Sequence, residues 1–147
     1  MSAARKTGAP KGPWLRAFRT PRRWLALGAA AVIAVIAVSL LPAGDLPPSP
    51  FANSDKVGHF LTYALLSAYA CMLFARMRPQ ALSAAALIVL GVGLEYAQAL
   101  LTDSRMGDSR DAFANALGVL AGLMTAPTRL ALMLQRIDGR LADTHSS

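Results

Sequence analysis

Four apolar stretches, each with at most one ionisable side chain and separated by short polar connections, constrain this chain more than anything else in it. Trp24–Leu41 (WLALGAAAVIAVIAVSLL) carries no charge, Val57–Ala75 contains only His59, and Leu82–Leu101 contains only Glu95. Ala112–Ala126 is shorter, and its apolar pattern resumes beyond Pro127 at Leu130–Leu134. A helix needs about 20 apolar residues to cross the hydrocarbon core of a bilayer. Inside lipid the backbone must satisfy its own hydrogen bonds, which leaves helices as the economical solution. The expectation is therefore an all-α, small polytopic membrane protein. Its four transmembrane helices fall at about 24–41, 57–75, 82–101 and 112–126 or beyond. With 54% hydrophobic and 16% charged residues, too little polar surface remains to cover a water-soluble domain of this size. The first stretch is longer than the apolar part of a secretory signal, and no convincing A-x-A cleavage site follows it. Thr20 and Pro21 read as a helix start, a capping residue followed by a first-turn proline.

Positive charge sets the expected topology. Seven of the fifteen Lys and Arg residues precede residue 24. No aromatic-interleaved basic face accompanies them, so no nucleic-acid partner is expected. Arg76, Arg78, Arg129, Arg136 and Arg140 bring that side to twelve, against Lys56, Arg105 and Arg110 on the other. The positive-inside rule then places both termini in the cytoplasm and turns the 42–56 and 102–111 connections outward. Residues 1–20 read as a basic cytoplasmic segment expected to be disordered, 21–126 as the membrane domain and 127–147 as a cytoplasmic tail. In the tail, Leu130, Met133, Leu134, Ile137 and Leu141 recur at helical spacing. That pattern suits an interfacial amphipathic helix or an extension of the fourth span. Cys71 is the only cysteine; it reads as a small packed hydrophobe, with no intrachain disulfide.

The polar residues inside the apolar stretches gather at one depth. Asp55 and His59 are four apart at the start of the second helix, with Lys56 beside them at the mouth. Glu95 lies about 10 Å below the outer end of the third helix, and Gln98 one turn nearer that end. Asn115 sits one turn below Asp111 on the fourth. Three helices thus bring polar groups to the outer leaflet. An ionisable group in a span costs a few kcal/mol unless paired or hydrated, so these side chains are expected to face the bundle interior. The second and fourth helices also point their N-termini outward, where backbone N–H groups favour anions. Asp55, Asp108 and Asp111 fit there as first-turn or capping acids, and Asp108 and Asp111 have the spacing of a capping box. Together with Lys56, Arg105 and Arg110, the same ends can hold an external phosphate or carboxylate. No metal and no cofactor is expected, because no second histidine is near and carboxylates alone are weakly diagnostic. Gln98 and Asn115 also fit as interhelical hydrogen-bonding groups, Tyr63 as core, and Ala114, Gly118 and Gly122 as a small-residue packing stripe.

These residues resemble the two signatures of the VanZ-like family. SLLPAGDLPPSPFANSDKVGHFLTYALL (39–66) is similar to its proline-rich outer loop followed by D-K-x-x-H-F, here Asp55, Lys56, His59 and Phe60. LEYAQALLTDSRMGDSRDAFANALGVLAG (94–122) is similar to its second motif, here Glu95, Gln98, Arg105, Asp111, Asn115 and Gly118. The resemblance covers about residues 24–126. It implies a small bacterial inner-membrane protein whose named relative is associated with resistance to the glycopeptide teicoplanin.

Three functions remain open at this level. The first is a membrane module that binds an anionic envelope or lipid-linked head group at the outward mouth. The second is an enzyme on lipid-linked envelope substrates, with Glu95, His59 and Asp111 as acid–base groups. No recognised nucleophile or metalloprotease motif supports it. The third is a structural scaffold that assembles with other membrane proteins. Ion conduction is disfavoured, because polar groups at one leaflet supply no path across.

Overall fold

The computed structural model describes residues 13–41, 53–101 and 108–144. Among these the chain is all-helical: α1 Pro21–Ser39, α2 Ser54–Leu73, α3 Met77–Leu101, α4 Ser109–Leu123, a 3-10 turn Arg129–Leu132 and α5 Met133–Thr144. Pro21–Ser39 and Met77–Leu100 are long and apolar enough to cross a membrane.

α1 to α4 each occupy one of the apolar stretches, with ends shifted by a few residues. α1 starts at Pro21, whose fixed φ and missing N–H suit a first turn. The preceding Thr20 does not cap α1 through its own side chain; its hydroxyl is engaged elsewhere, as described below. α2 starts after Asn53, which adopts a left-handed φ of 61°, tolerable for asparagine. α3 begins five residues before the expected Leu82, because Met77–Ala81 continue the helix on the far side of a tight link from α2.

The fourth helix does not run on through Pro127. It ends at Leu123, and successive turns follow, with Thr125 N–H donating to Gly122 O and Thr128 N–H to Thr125 O. Proline has no N–H to continue the ladder and disfavours helical geometry in the residue before it. The chain therefore turns and restarts as α5.

α2 and α4 are the most closely associated helices. A Cβ on Gly118 would lie 2.2 Å from Phe60 O, and one on Gly122 would lie 2.3 Å from Ala64 O. Only glycine lets the two backbones meet there. Ser67 Oγ donates to Val119 O at 2.7 Å across the same seam. α3 closes the core, where Ala84 and Leu87 meet Tyr63 and Val119. Cys71 is 1% exposed in this seam, so its thiol is expected to react with a small maleimide on the order of a hundredfold slower than in detergent-denatured protein. Equal labelling rates before and after denaturation would contradict the packing.

Residues 13–20 differ from the disordered segment expected over 1–20; residues 1–12 lie outside the described residues. Leu15 forms an isolated antiparallel bridge with Phe74. Arg16 N–H donates to Leu73 O at 2.9 Å, Ala75 N–H donates to Trp14 O at 2.8 Å, and the Arg16 guanidinium reaches Cys71 O. A cation here satisfies carbonyls left open at the C-terminal end of α2. Sequence periodicity has no access to such a strap.

The strap leads to α5. Asp138, 4% exposed on α5, accepts from Arg19 N–H, Thr20 N–H at 3.2 Å, Thr20 Oγ1 at 2.6 Å and Trp24 Nε1 at 2.9 Å. It places a negative charge at the positive end of α1. Burial pushes the Asp138 carboxyl up, but the bonds from Thr20, Trp24 and Arg19 together hold it below the ordinary carboxylate range. The buried stripe of α5 is accordingly Leu134 and Asp138, whereas Leu130, Met133 and Leu141, expected on its apolar face, are exposed.

Candidate functional site

Polar side chains from α2, α3 and α4 meet at the end of the bundle opposite this clasp. Lys56, in the first turn of α2, is the centre of the outer layer. Its ammonium donates to Asp111 Oδ1 at 3.0 Å, Asp55 Oδ2 at 3.1 Å and Asp108 Oδ2 at 3.2 Å. The bond to Asp111, then those to Asp55 and Asp108, hold its pKa well above the usual lysine range. Lys56 in turn lowers the pKa of Asp55. Asp108 is lowered first by the Arg110 backbone N–H and then by Lys56. Asp108 is the N-cap of α4, accepting from Arg110 N–H at 2.9 Å. That capping role is the one its spacing to Asp111 suggested, and Asp108 also helps hold Lys56.

A second layer lies beneath. His59, one turn below Asp55, places Nδ1 3.1 Å from Asn115 Oδ1 and Nε2 3.8 Å from Asp111 Oδ2. Glu95, 7% exposed, accepts the Asp108 backbone N–H through Oε2 at 3.1 Å. Asn115 is 2% exposed. Its room comes from Gly91 on α3, where a Cβ would stand 3.1 Å from Asn115 and 3.2 Å from the Tyr63 ring. Tyr63 is one turn below His59 on α2. Its hydroxyl is buried and has no hydrogen-bond partner among the described residues.

The sequence-derived set therefore separates. Lys56, His59, Glu95, Asp111 and Asn115 come together. Asp55 sits on the rim, touching Lys56 with nearly half of its side chain exposed. Gln98 is buried, but its Nε2 donates to Ser39 O at 2.7 Å, so it ties α3 to the end of α1. Arg105 lies outside the described residues. Arg110 is exposed on α4. Gly118 and Gly122 pack against the α2 backbone. Asp108 and Tyr63 join the site without having been among its expected members. Their only signals were spacing: three residues before Asp111, and four after His59.

Compared with family models, curated proteins and solved structures, the chain shows no match.

Chemically, the arrangement offers two things. The outer layer is an ammonium fixed among carboxylates. The inner layer is an imidazole whose remaining nitrogen faces a carboxylate at a distance too long for a hydrogen bond. Ligand atoms of His59, Glu95 and Asp111 all lie within 4.8 Å of one another. The sequence places no second histidine near His59 and so gave no reason to expect metal ligands. Three different helices supply them.

Proposed function

We propose that this chain is a four-span, VanZ-like protein of the bacterial inner membrane, with both termini cytoplasmic. It holds an anionic envelope or lipid-linked head group at its outward end. Beyond the two helices long enough to span, the outer faces of the others support this reading. Val57, Leu61 and Leu65 on α2, and Phe113, Leu117 and Leu120 on α4 with Met124 at its C-cap, are exposed large apolar residues at helical spacing. A water-soluble bundle would leave such rows wet, whereas lipid solvates them. α4, with 15 residues, reaches only about 22 Å. A helix this short fits a span whose start stops short of the outer surface, within reach of a head group.

The observation that carries the reading is the convergence of Lys56 with the outward N-termini of α2 and α4. Both are occupied by carboxylates of the chain, and an incoming anion would exchange with the two more exposed ones, Asp55 and Asp108. The motif resemblance extends the reading to glycopeptide resistance through a lipid-linked cell-wall precursor. The acid–base reading is less favoured, because His59 Nε2 and Asp111 are 3.8 Å apart.

In purified protein, Lys56→Gln is expected to weaken binding of farnesyl pyrophosphate, a lipid-linked pyrophosphate probe, by roughly 10- to 100-fold. It should also deplete co-purifying anionic lipids measured by mass spectrometry. Unchanged affinity and an unchanged lipid profile would reject the head-group reading.

A further inference from the structure

We infer that His59 Nε2, Glu95 and Asp111 Oδ2 form a three-ligand site for a divalent transition cation of the Zn2+ or Mn2+ class. Resting on the head-group reading above, the same cation receives the pyrophosphate oxygens of the ligand.

Three observations carry this. The first is convergence from three helices. The ligand atoms lie within 4.8 Å of one another, and His59 Nε2 is 3.8 Å from Asp111 Oδ2. Bonds of about 2.0–2.2 Å to a common ion require ligand atoms roughly 3–3.5 Å apart, so side-chain rotations on the order of 1 Å close the site.

The second is orientation of the imidazole. Asn115 Oδ1 can only accept, so His59 Nδ1 carries the hydrogen in their 3.1 Å contact. That bond leaves Nε2 as the nitrogen that faces Asp111 Oδ2. The space between Nε2 and the carboxylate oxygen suits a positive centre, a proton or a metal ion, and the third ligand, Glu95, favours the ion. A hydrogen-bonded second nitrogen is also how protein histidines are held as metal ligands. Asp111 is placed likewise: Lys56 binds Oδ1 and leaves Oδ2 towards His59.

The third is Tyr63. Its hydroxyl is the buried side-chain polar atom without a partner among the described residues. Its ring ends beside Gly91 and Asn115, within electrostatic reach of Glu95. A buried hydroxyl normally finds a partner, and an ion-bound water or ligand oxygen supplies one here. One imidazole with two carboxylates suits Zn2+ or Mn2+ better than Mg2+ or Ca2+, which favour all-oxygen shells.

The test uses the full chain in mild detergent. Mn2+ is titrated by electron paramagnetic resonance and Zn2+ by calorimetry. One ion per chain is expected, with affinity reduced at least about tenfold in each of His59→Ala, Glu95→Gln and Asp111→Asn, and also in Asn115→Ala. Asp143→Asn, at the opposite end of the bundle, should bind as the wild type does. The isosteric carboxamide variants and slow Cys71 labelling show that loss of binding is not loss of fold. Substoichiometric binding, or affinity unchanged in the three ligand variants, overturns the site. Farnesyl pyrophosphate is then added with Mn2+ or with chelator. Retention only with the metal supports the ion as the bridge. Equal retention in chelator overturns the bridge while leaving the head-group reading standing. Metal binding with no pyrophosphate binding under either condition keeps the ion site and rejects the head group.

Discussion

Gly118→Ala is expected to destabilise the protein by about 3 kcal/mol or more, lowering its melting temperature in detergent by roughly 10–20 °C. The added methyl would stand 2.2 Å from Phe60 O, 3.0 Å from Phe60 C and 3.1 Å from Ala64 N. All three are backbone atoms, so no rotamer change relieves the contact. α4 must move off α2 as a unit. That separation would also draw Asp111 and Asn115 away from Lys56 and His59, so site function and stability fall together. Gly93→Ala on α3 is the matched control, because nothing lies within 4 Å of its Cβ. It should be neutral or gain about 0.5–1 kcal/mol from helix propensity. Equal melting temperatures for the two alanine variants would show that α2 and α4 are not in backbone contact.

The second large effect is expected at the other end of the molecule. Asp138→Ala removes the acceptor of four donors, including Trp24 Nε1 and the Arg19 and Thr20 backbone N–H groups. Orphaning them should cost about 3 kcal/mol. Hydrogen exchange over residues 13–24 and α5 should rise sharply while α2–α4 stay protected. Asp138→Asn should be nearly as harmful, because its amide turns a donor towards a cluster made of donors. The wild-type clasp should weaken with acid. The folded carboxyl lies below its ordinary value of 3.8. Its contribution is therefore complete above that value and lost as pH falls through it towards the folded pKa. Increased exchange of the strap below about pH 4, absent in Asp138→Ala, is the signature. Protection of residues 13–24 that does not change with the variant would leave the clasp without energetic consequence.

Much of the fold was legible in the hydrophobic pattern. Long uncharged runs have few alternatives to a helix, so the four principal helices fall where the hydrophobic pattern puts them. Their ends are set by Pro21, Asn53 and Asp108. The same argument found the inner layer. An acid such as Glu95 or an amide such as Asn115 is costly against hydrocarbon, which directs it inward and towards its counterparts on neighbouring helices. Gly118 and Gly122 were legible as a close-approach stripe for a related reason: small residues four apart let a neighbouring helix approach.

What stayed hidden was pairing at long sequence separation. Lys56 offered itself as one of three outward cations free to take an anion. In the fold it is shared among three carboxylates, two of them more than 50 positions away. The apolar spacing of the tail marks no role for Asp138. Only packing against the strap makes it the buried cap of a helix that starts more than 100 positions earlier. Gln98 fits its reading as an interhelical hydrogen-bonding group, but one partner is the main-chain carbonyl of Ser39 at the end of α1, which no side-chain pattern marks. Tyr63 carried no signal of its own beyond its offset from His59.

The clasp bears on the order in which the protein is completed. Thr20 and Asp138 are 118 positions apart, so a growing chain exposes the strap long before the residue that fastens it has been made. All four principal helices can form while the strap is still unsecured. The closing event is then the docking of α5, the last helix to leave the ribosome. A nascent chain stalled within the turn after α4 would hold its polar site assembled over an unlatched base. A protease could read that difference directly, since the accessibility of the strap reports whether synthesis has passed α5.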